Sequence, residues 1–553
     1  MPKLINLFKS FLEDFKKMDL WHKILLIIST LFFSFIFIEN FVFSNSFSTL
    51  QLREIDDTAF QYSIRNIHES ISSFKFDRLI KLNDYGYGWI YWIIVGLITY
   101  PFYLLVLVTD FYVPLIALPR DISLAFTIGS SFFIYKSLSF YSKDEFLKFM
   151  SMILLMSFPA FGFFSMRFGT VSQVMFFSTL AFYLTIRKDD YEKKDLRNIA
   201  ISAALCVGTK ISGALILPLI GLIMADRMQW KMNKETFKKA KYFLLNFLLF
   251  FVLFSDPALF LSPFKPEYLY SYIEALKSNS HLALQDNFLQ IMTEVLGVGY
   301  LNIYFAGAAI AFLLLNIFYK ERYKRDFLFM ALWMVFTLSL LVKIMSMGGQ
   351  YVINYALAVM YLLAFSILFL EKWGRLGKVV AVSFVIMSFL TNYSNISSGF
   401  YSNMKYFKLL QDQMIVAKVA ANDSIKKLIP DPKENKEQKV NVLMDYRAIF
   451  PYSHFDRENL NAVFAFDNIQ KVRDQIKGDF DYISLNKTSP YFLPDQEFSD
   501  FIAKLKNESE LTDQVESRKI VQKLMDSKKF EDVEYEILLN ENNIIFFGKR
   551  SVK

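Results

Sequence analysis

Two adjacent carboxylates, Asp56 and Asp57, mark the stretch of the chain best equipped for chemistry. Neighbouring acids raise each other's pKa unless a cation or a hydrogen-bond donor compensates. Such a pair suits a general base whose partner orients a substrate, a metal or a phosphate. A solvated helix start, where acids meet the positive end of the dipole, would carry the same residues. Three cations in apolar surroundings could meet a phosphate: Arg120, Arg167 and Lys210. Arginine can grip phosphate with two parallel bonds. A lone cation of this kind more often snorkels or pairs. Lys210 is the most specific of the three, because Gly208 and Gly213 flank it inside an apolar stretch where lysine is expensive. His281, one of four histidines, is a further candidate contact, with a plain surface residue as its alternative.

The elements that must position these groups are apolar. The chain has 553 residues, 54% hydrophobic and 18% aromatic, too apolar for a soluble protein of this size. Apolar segments that can span a bilayer are 23–43, 116–135, 144–164, 170–186, 241–261, 296–318, 326–345, 351–370 and 377–394. The stretch 196–226 is interrupted at Gly208-Thr209-Lys210 and reads as two short helices meeting at Lys210. Basic residues cluster between the spans, around Lys3–Lys23, Lys136–Lys148, Arg187–Arg197, Arg227–Lys241, Lys320–Arg325 and Lys372–Lys378. The positive-inside rule places all six clusters in the cytoplasm if the chain crosses about 11 times and 89–108 lies along or dips into the outer face. Asp56-Asp57, Arg120, Arg167 and Lys210 then share the outer face. The net charge of +8 is a topology signal and not a nucleic-acid one. The single cysteine, Cys206, excludes an internal disulfide and a cysteine-based metal site.

Helical spacing of Phe60, Ile64, Ile67 and Ile71 gives the segment after the acidic pair an apolar face, as for a helix on a membrane surface. In Asn83–Trp89, Gly86 and Gly88 permit a tight turn, and the aromatics could stack on a sugar or join the interfacial belt. The belt is the expected role of Trp89 and Trp92. Beyond Asn395 the character changes. Strands are expected at Val440–Met444, Phe480–Leu485, Val533–Leu539 and Ile544–Gly548, and helices at Phe466–Lys477, Gln496–Lys506 and Val515–Ser527. The expected organisation is a cytoplasmic amphipathic N-terminus (1–22), a transmembrane domain (23–395) whose outer loop 44–115 carries the acids, a linker (396–439) and a soluble α/β domain (440–553).

Together these motifs resemble the GT-C superfamily of membrane glycosyltransferases. The nearest likeness is to the bacterial protein-mannosyltransferase-like and aminoarabinose-transferase-like group (glycosyltransferase family 39/83-like). It rests on Asp56-Asp57-Thr58-Ala59-Phe60 after a first span, Tyr85-Gly86-Tyr87-Gly88 before an aromatic segment, Arg120 opening a span, and Thr209-Lys210-Ile211-Ser212-Gly213 in a split apolar segment. A soluble α/β tail is also common there. Two departures matter. The family often carries an aspartate where this chain reads Gly169-Thr170-Val171-Ser172-Gln173. The aminoarabinose enzymes tend to have an arginine where Ala59 stands, and a Lys-Pro-Pro turn that this chain lacks.

The resemblance implies a polytopic α-helical membrane protein of GT-C type with surface or re-entrant helices and a C-terminal soluble α/β domain. It implies an inverting transfer of a sugar from a polyprenyl-phosphate lipid donor to a protein, lipid or glycan acceptor on the outer face, with no nucleic-acid partner. Asp56 would be the base, with Asp57 beside it. Lys210, Arg120 and Arg167 would hold the donor phosphate. Tyr62, Tyr85, Tyr87 and His281 would contact the sugar or acceptor. No cofactor is required by this reading; a metal, if used, would be Mg or Mn at Asp56 and Asp57. With no acid near Gln173, a metal-independent base is favoured over a two-loop metal site. A bacterial inner membrane, with the N-terminus cytoplasmic and the α/β domain outside, is the expected location. The alternative is a lipid or glycolipid transporter or flippase; against it, the charges sit on one face and no repeat is present.

Overall fold

The computed structural model describes residues 18–43, 64, 67–75, 89–109, 113–157, 161, 165, 169–231, 233–255, 325–333, 336–337, 364–394, 413–429, 439–445, 460–464, 480–487, 489–503, 508–541 and 543–550. The chain forms two compact units, Met1–Ser44 with Asp56–Lys405, and Asn45–Ile55 with Tyr406–Lys553.

The first unit is helical. Its elements are α1 (Leu20–Phe43), a short α2 (67–72), α3 (Trp89–Thr109), α4 (Val113–Tyr141), α5 (Glu145–Ser157) and α6 (Val171–Ile186). They continue with α7 (Lys193–Thr209), α8 (Leu217–Arg227), α9 (Lys234–Ser255), α10 (325–333) and α11 (Gly374–Ser394). Three described helical stretches are long and apolar enough to cross a membrane: Leu20–Ile38, Val113–Tyr141 and Ala364–Leu390. The expected span 296–318 lies outside the described residues. One apolar cluster fills the unit, with Phe161, Phe182, Leu196, Ile199, Ile223 and Phe365 buried in it. Exposed leucines and phenylalanines on α1, α4, α9 and α11 leave an apolar exterior, as lipid demands.

The segment 89–108 is an unbroken helix of 21 residues through Thr109, with Pro101 inside it. Trp92 departs from the expected belt role. It is buried with Tyr91 and Val95 against Ile64, Ile67 and Ile122, because the apolar face of α2 lies on α3. Gly96 lets the two approach closely: a Cβ there would sit 2.7 Å from Ile67 Cγ2.

The basic clusters gather at one end of this unit through specific pairs. Arg227 bonds Asp326 at 2.6 Å and Asp226 at 3.1 Å, and Arg325 bonds Asp226 at 2.8 Å. The Tyr141 hydroxyl donates to Asp326 at 3.0 Å. Lys378 meets Asp144 at 2.8 Å, Arg187 meets Asp195 at 3.2 Å, and Lys239 meets Asp190 at 2.7 Å. The rings of Tyr141 and Phe182 both rest on Phe365, which joins the α4 and α6 ends of this network. Trp21 meets Phe146 edge-on and Phe149 at a tilt, so α1 starts at the same end.

The second unit is an α/β domain. Its strands are β1 (Val440–Met444), β2 (Leu460–Phe464), β3 (Tyr482–Asn486), β4 (Lys529–Phe530), β5 (Val533–Glu541) and β6 (Ile544–Lys549), in the order β2-β1-β3-β6-β5-β4. β2, β1 and β3 run parallel, and β6 pairs antiparallel to β3 and β5. The helix α12 (Gln413–Leu428) lies inside the stretch expected to be a linker. Ala421 and Ile425 bury against Val440, Val442 and Phe546, so this part of the stretch is a layer of the domain. After α13 (Asp495–Ile502), α14 (Glu508–Ser527) completes a second core, where Val521 and Leu524 meet Ile483, Leu485 and Phe547. Asp445, just past β1, accepts from the Asn486 backbone N–H and the Ser489 hydroxyl, joining the carboxyl ends of β1 and β3. The expected helix Phe466–Lys477 lies outside the described residues.

Candidate functional site

The site is built at the end of the helical unit opposite the ion pairs. Each relevant helix has one end in the basic network, so its other end is fixed by length. On α4, Tyr141 joins the network and Arg120 lies 21 residues earlier, about 30 Å away at 1.5 Å per residue. On α7, Asp195 pairs with Arg187, and Lys210 follows about 22 Å further on. On α6, Arg187 caps the C-terminus and Thr170 the N-terminus. Arg120, Lys210 and the start of α6 therefore share one end.

Lys210 stands where the sequence places a break. α7 ends at Thr209, Lys210 is extended (φ −157°, ψ 132°), and a 3-10 turn runs over Ile211–Ile216 before α8. The turn folds back on α7. The Gly213 N–H donates to the Lys210 carbonyl at 2.7 Å, and a Cβ at 213 would lie 2.4 Å from the Cys206 carbonyl oxygen. Only glycine fits that approach. The Cys206 thiol lies 3.6 Å from the carbonyls of both Val174 and Gly213, locking the Lys210 turn against the first turn of α6.

That first turn carries a polar set the acid-seeking reading passed over. Thr170, Ser172 and Gln173 are buried, and their side-chain polar atoms have no hydrogen-bond partner among the described residues. Buried polar groups normally find one, in protein, water or ligand. Gln173 has both its amide nitrogen and its amide oxygen unmet. A phosphate, which only accepts, satisfies the first alone; a hydroxyl satisfies both. The signal in the sequence was three polar residues opening an otherwise apolar span.

Arg120 is buried on α4 with 1% of its surface exposed. Its neighbour Asp121 accepts from the Asn40 side-chain amide at 3.0 Å, and Ile122 packs on Ile64 and Ile67. Asn40 closes α1, and Ile64 resumes the described chain. Asn40 and Ile64, the described residues on either side of the acidic pair, thus both lie by the Arg120–Ile122 step of α4. Asp57 is seven residues before Ile64, a span of at most roughly 25 Å when fully extended. Asp56, Asp57, Tyr62, Tyr85, Tyr87, Arg167 and His281 themselves lie outside the described residues. Among the described residues no group of three or more His, Cys, Asp or Glu could hold a metal.

His68 was also passed over. It lies four residues after Ile64 and three before Ile71, so it shares the apolar face of α2. It is buried, with Nε2 3.1 Å from the Gly96 carbonyl and 2.9 Å from Thr99 Oγ1. Burial, opposed by the bond to the Gly96 carbonyl, lowers its pKa to about 4. The imidazole is neutral at physiological pH.

No protein-family model matches the chain, and no curated protein matches it. Among solved structures it is similar to the crystal structure of ArnT from Cupriavidus metallidurans bound to undecaprenyl phosphate. The TM-score is 0.53 at 11% identity, over 95% of this chain and 98% of that one. The likeness spans both the helical unit and the α/β domain and shows that the two proteins share an overall fold.

Proposed function

We propose that the chain is an inverting glycosyltransferase that moves a sugar from a polyprenyl-phosphate lipid to a protein, lipid or glycan acceptor on the outer face of the membrane. One observation carries this. Arg120 and Lys210, 90 residues apart in sequence, share the end of the helical unit at which Asn40 and Ile64 also lie. A site for this chemistry needs a base and phosphate-binding cations converging on one face. The fold supports the reading, since the ArnT structure holds undecaprenyl phosphate.

In this reading Asp56 takes the proton from the acceptor's hydroxyl or amine as that atom attacks the anomeric carbon. Asp57 orients the acceptor. Lys210, Arg120 and Arg167 stabilise the departing lipid phosphate, whose charge grows in the transition state. The unmet amide of Gln173 and the hydroxyls of Thr170 and Ser172 offer donors and acceptors to a sugar. Tyr62, Tyr85, Tyr87 and His281 remain proposed sugar or acceptor contacts. The segment bearing Asp56 and Asp57 is also where Mg or Mn would be held, if the reaction uses either.

The test is sugar transfer by the purified chain in lipid nanodiscs, from undecaprenyl-phosphate-linked sugars to bacterial membrane acceptors. Asp56→Asn should slow transfer by about 10²–10⁴-fold. Lys210→Met should weaken binding of undecaprenyl phosphate by about 10–100-fold, the cost of a lost charge-assisted bond. An unchanged rate in the first variant overturns the base assignment. Unchanged binding in the second removes Lys210 from the phosphate site.

A further inference from the structure

The helix α9 carries two kinds of lysine. Lys239 turns toward acids, meeting Asp190 at 2.7 Å and Glu235 at 3.4 Å. Lys234, Lys238 and Lys241 are exposed, and their side chains have no ion pair and no hydrogen bond among the described residues. Their spacing of i, i+4 and i+7 puts them on one face, within about 60° of one another. Leu245 and Leu248 continue that face and are 55% and 47% exposed. Phe237, 73% exposed, flanks the lysines. The opposite face is the one that packs: Phe247 is buried in the core of the unit, and Phe243 and Phe250 rest against that core. One stripe of α9 is therefore cationic for two turns and then aliphatic, with about 6 Å of rise between Lys241 and Leu245.

Neither half of the stripe serves the fold. A cation in the first turn opposes the helix dipole, as Lys234 does. Like charges three and four residues apart repel. Exposed leucines gain nothing from water. On α11 the same end of the unit resolves this within the chain. Leu376 and Val379 are exposed there too, but Lys378 is spent on Asp144 at 2.8 Å. The three lysines of α9 receive no acid among the described residues.

A ligand that matches this stripe has an anionic head joined to an aliphatic tail. A soluble anion would match the lysines and leave the leucines uncovered. An acidic protein segment would do the same. A phospholipid matches both, because its phosphate lies at the edge of the hydrocarbon that its chains form.

We propose that the lysine–leucine face of α9 is a binding site for an anionic glycerophospholipid. Lys234, Lys238 and Lys241 hold its phosphate, and an acyl chain lies along Leu245 and Leu248. This does not depend on the glycosyltransferase reading, since Arg120 and Lys210 stand at the other end of the helical unit.

Native mass spectrometry tests this on the full chain released from nanodiscs of equal parts phosphatidylglycerol and phosphatidylcholine. Each lysine near the lipid surface is worth about five-fold, so the wild type should prefer phosphatidylglycerol by about 100-fold. The triple variant Lys234→Gln, Lys238→Gln, Lys241→Gln should lose nearly all of that preference, and the same three changes to Arg should keep it. A control triple, Lys426→Gln, Lys427→Gln, Lys519→Gln, removes equal charge from exposed positions of the α/β domain and should also keep it. An unchanged preference in the α9 glutamine triple overturns the proposal. So does an equal loss in the control, which would mark an effect of net charge. So does wild-type binding of soluble glycerophosphoglycerol as tight as that of the lipid, which would mark an anion site with no part for the leucines. Phosphatidylglycerol with a diazirine in its chain should crosslink the wild type within Leu244–Leu249. That result decides the matter even if the glutamine triple does not fold, and labelling confined to other helices overturns the site.

Discussion

The two ends of the helical unit use charge in opposite ways. At the basic end cations pair with carboxylates: Arg227 with Asp326, Arg325 with Asp226, Lys378 with Asp144, Arg187 with Asp195. All but the last join helices far apart in sequence, and most of their polar atoms are spent on one another, with Arg187 Nε, Arg227 Nε and Asp326 Oδ1 left over among the described residues. At the opposite end stand a buried arginine, a lysine at a helix break, and a glutamine, a serine and a threonine whose side chains are unmet among the described residues. A folded protein keeps unmet buried polar groups where something else is to meet them. The contrast separates scaffold from site more sharply than any single residue does.

Breaking the scaffold should therefore cost stability and spare ligand binding. Asp326 has 1% of its side chain exposed and accepts from both Arg227 and Tyr141. Asp326→Ala leaves a buried guanidinium with half its partners, a change worth about 3–5 kcal/mol. The unfolding midpoint in detergent should drop strongly. Binding of undecaprenyl phosphate per folded molecule should be unchanged. Loss of binding at unchanged stability would mean that the basic end takes part in the site, and the contrast would collapse.

At the opposite end the sharpest handle is pH. The His68 pKa is lowered to about 4 by burial, against an ordinary value of 6.5. A released α2 therefore takes up a proton before the docked one does. Docking is fully supported above pH 6.5 and loses support as pH falls toward 4. The full difference is about 3 kcal/mol. The side chains facing His68 are Tyr100, Tyr103 and Thr99 from α3, with Glu69 beside it on α2. Exchange over residues 67–75, corrected for its intrinsic pH dependence, should rise between pH 6.5 and 4 in the wild type and stay flat in His68→Gln. A flat wild-type profile would place the control of docking in Ile64 and Ile67 alone.

Much of this was readable in the sequence because it rests on strong local rules. The break at Gly208-Thr209-Lys210 appears in the structure where a lysine in an apolar run requires it. The strands at Val440–Met444, 482–486, 533–541 and 544–549 follow from β-branched and aromatic runs. The basic clusters implied a shared face, and the ion pairs join those at 187–197, 227–241 and 320–325 to one another and that at 136–148 to 372–378. What escaped depends on partners far along the chain. Leu460–Phe464 is a strand because β1 lies beside it. Gln413–Leu428 is a layer because the sheet covers Ala421 and Ile425. Trp92 looked interfacial until Ile64 and Ile67 covered it. Gln173 was set aside for not being an acid, although its amide is the group left unmet. His68 was legible in principle, since an imidazole on the apolar face of an amphipathic stretch must find a partner.

The smallest expected effect tests whether the basic end owes its strength to burial or merely to pairing. Asp190 and Lys239 are 2.7 Å apart, as close as Arg227 and Asp326, but Asp190 has 83% of its side chain in solvent. The hydrogen bond from Lys239 lowers the Asp190 pKa, so any stabilisation is present at neutral pH and lost as pH falls through the acid range. Water screens an exposed pair, and its worth is about 0.5 kcal/mol or less. Asp190→Asn keeps an oxygen that can accept from the Tyr191 backbone N–H, as Asp190 does at 2.9 Å, and removes only the charge. Its unfolding midpoint should stay close to the wild type at neutral pH, and the difference should vanish in high salt. A drop approaching that of Asp326→Ala would show that pairing alone holds the helices together, with burial adding little.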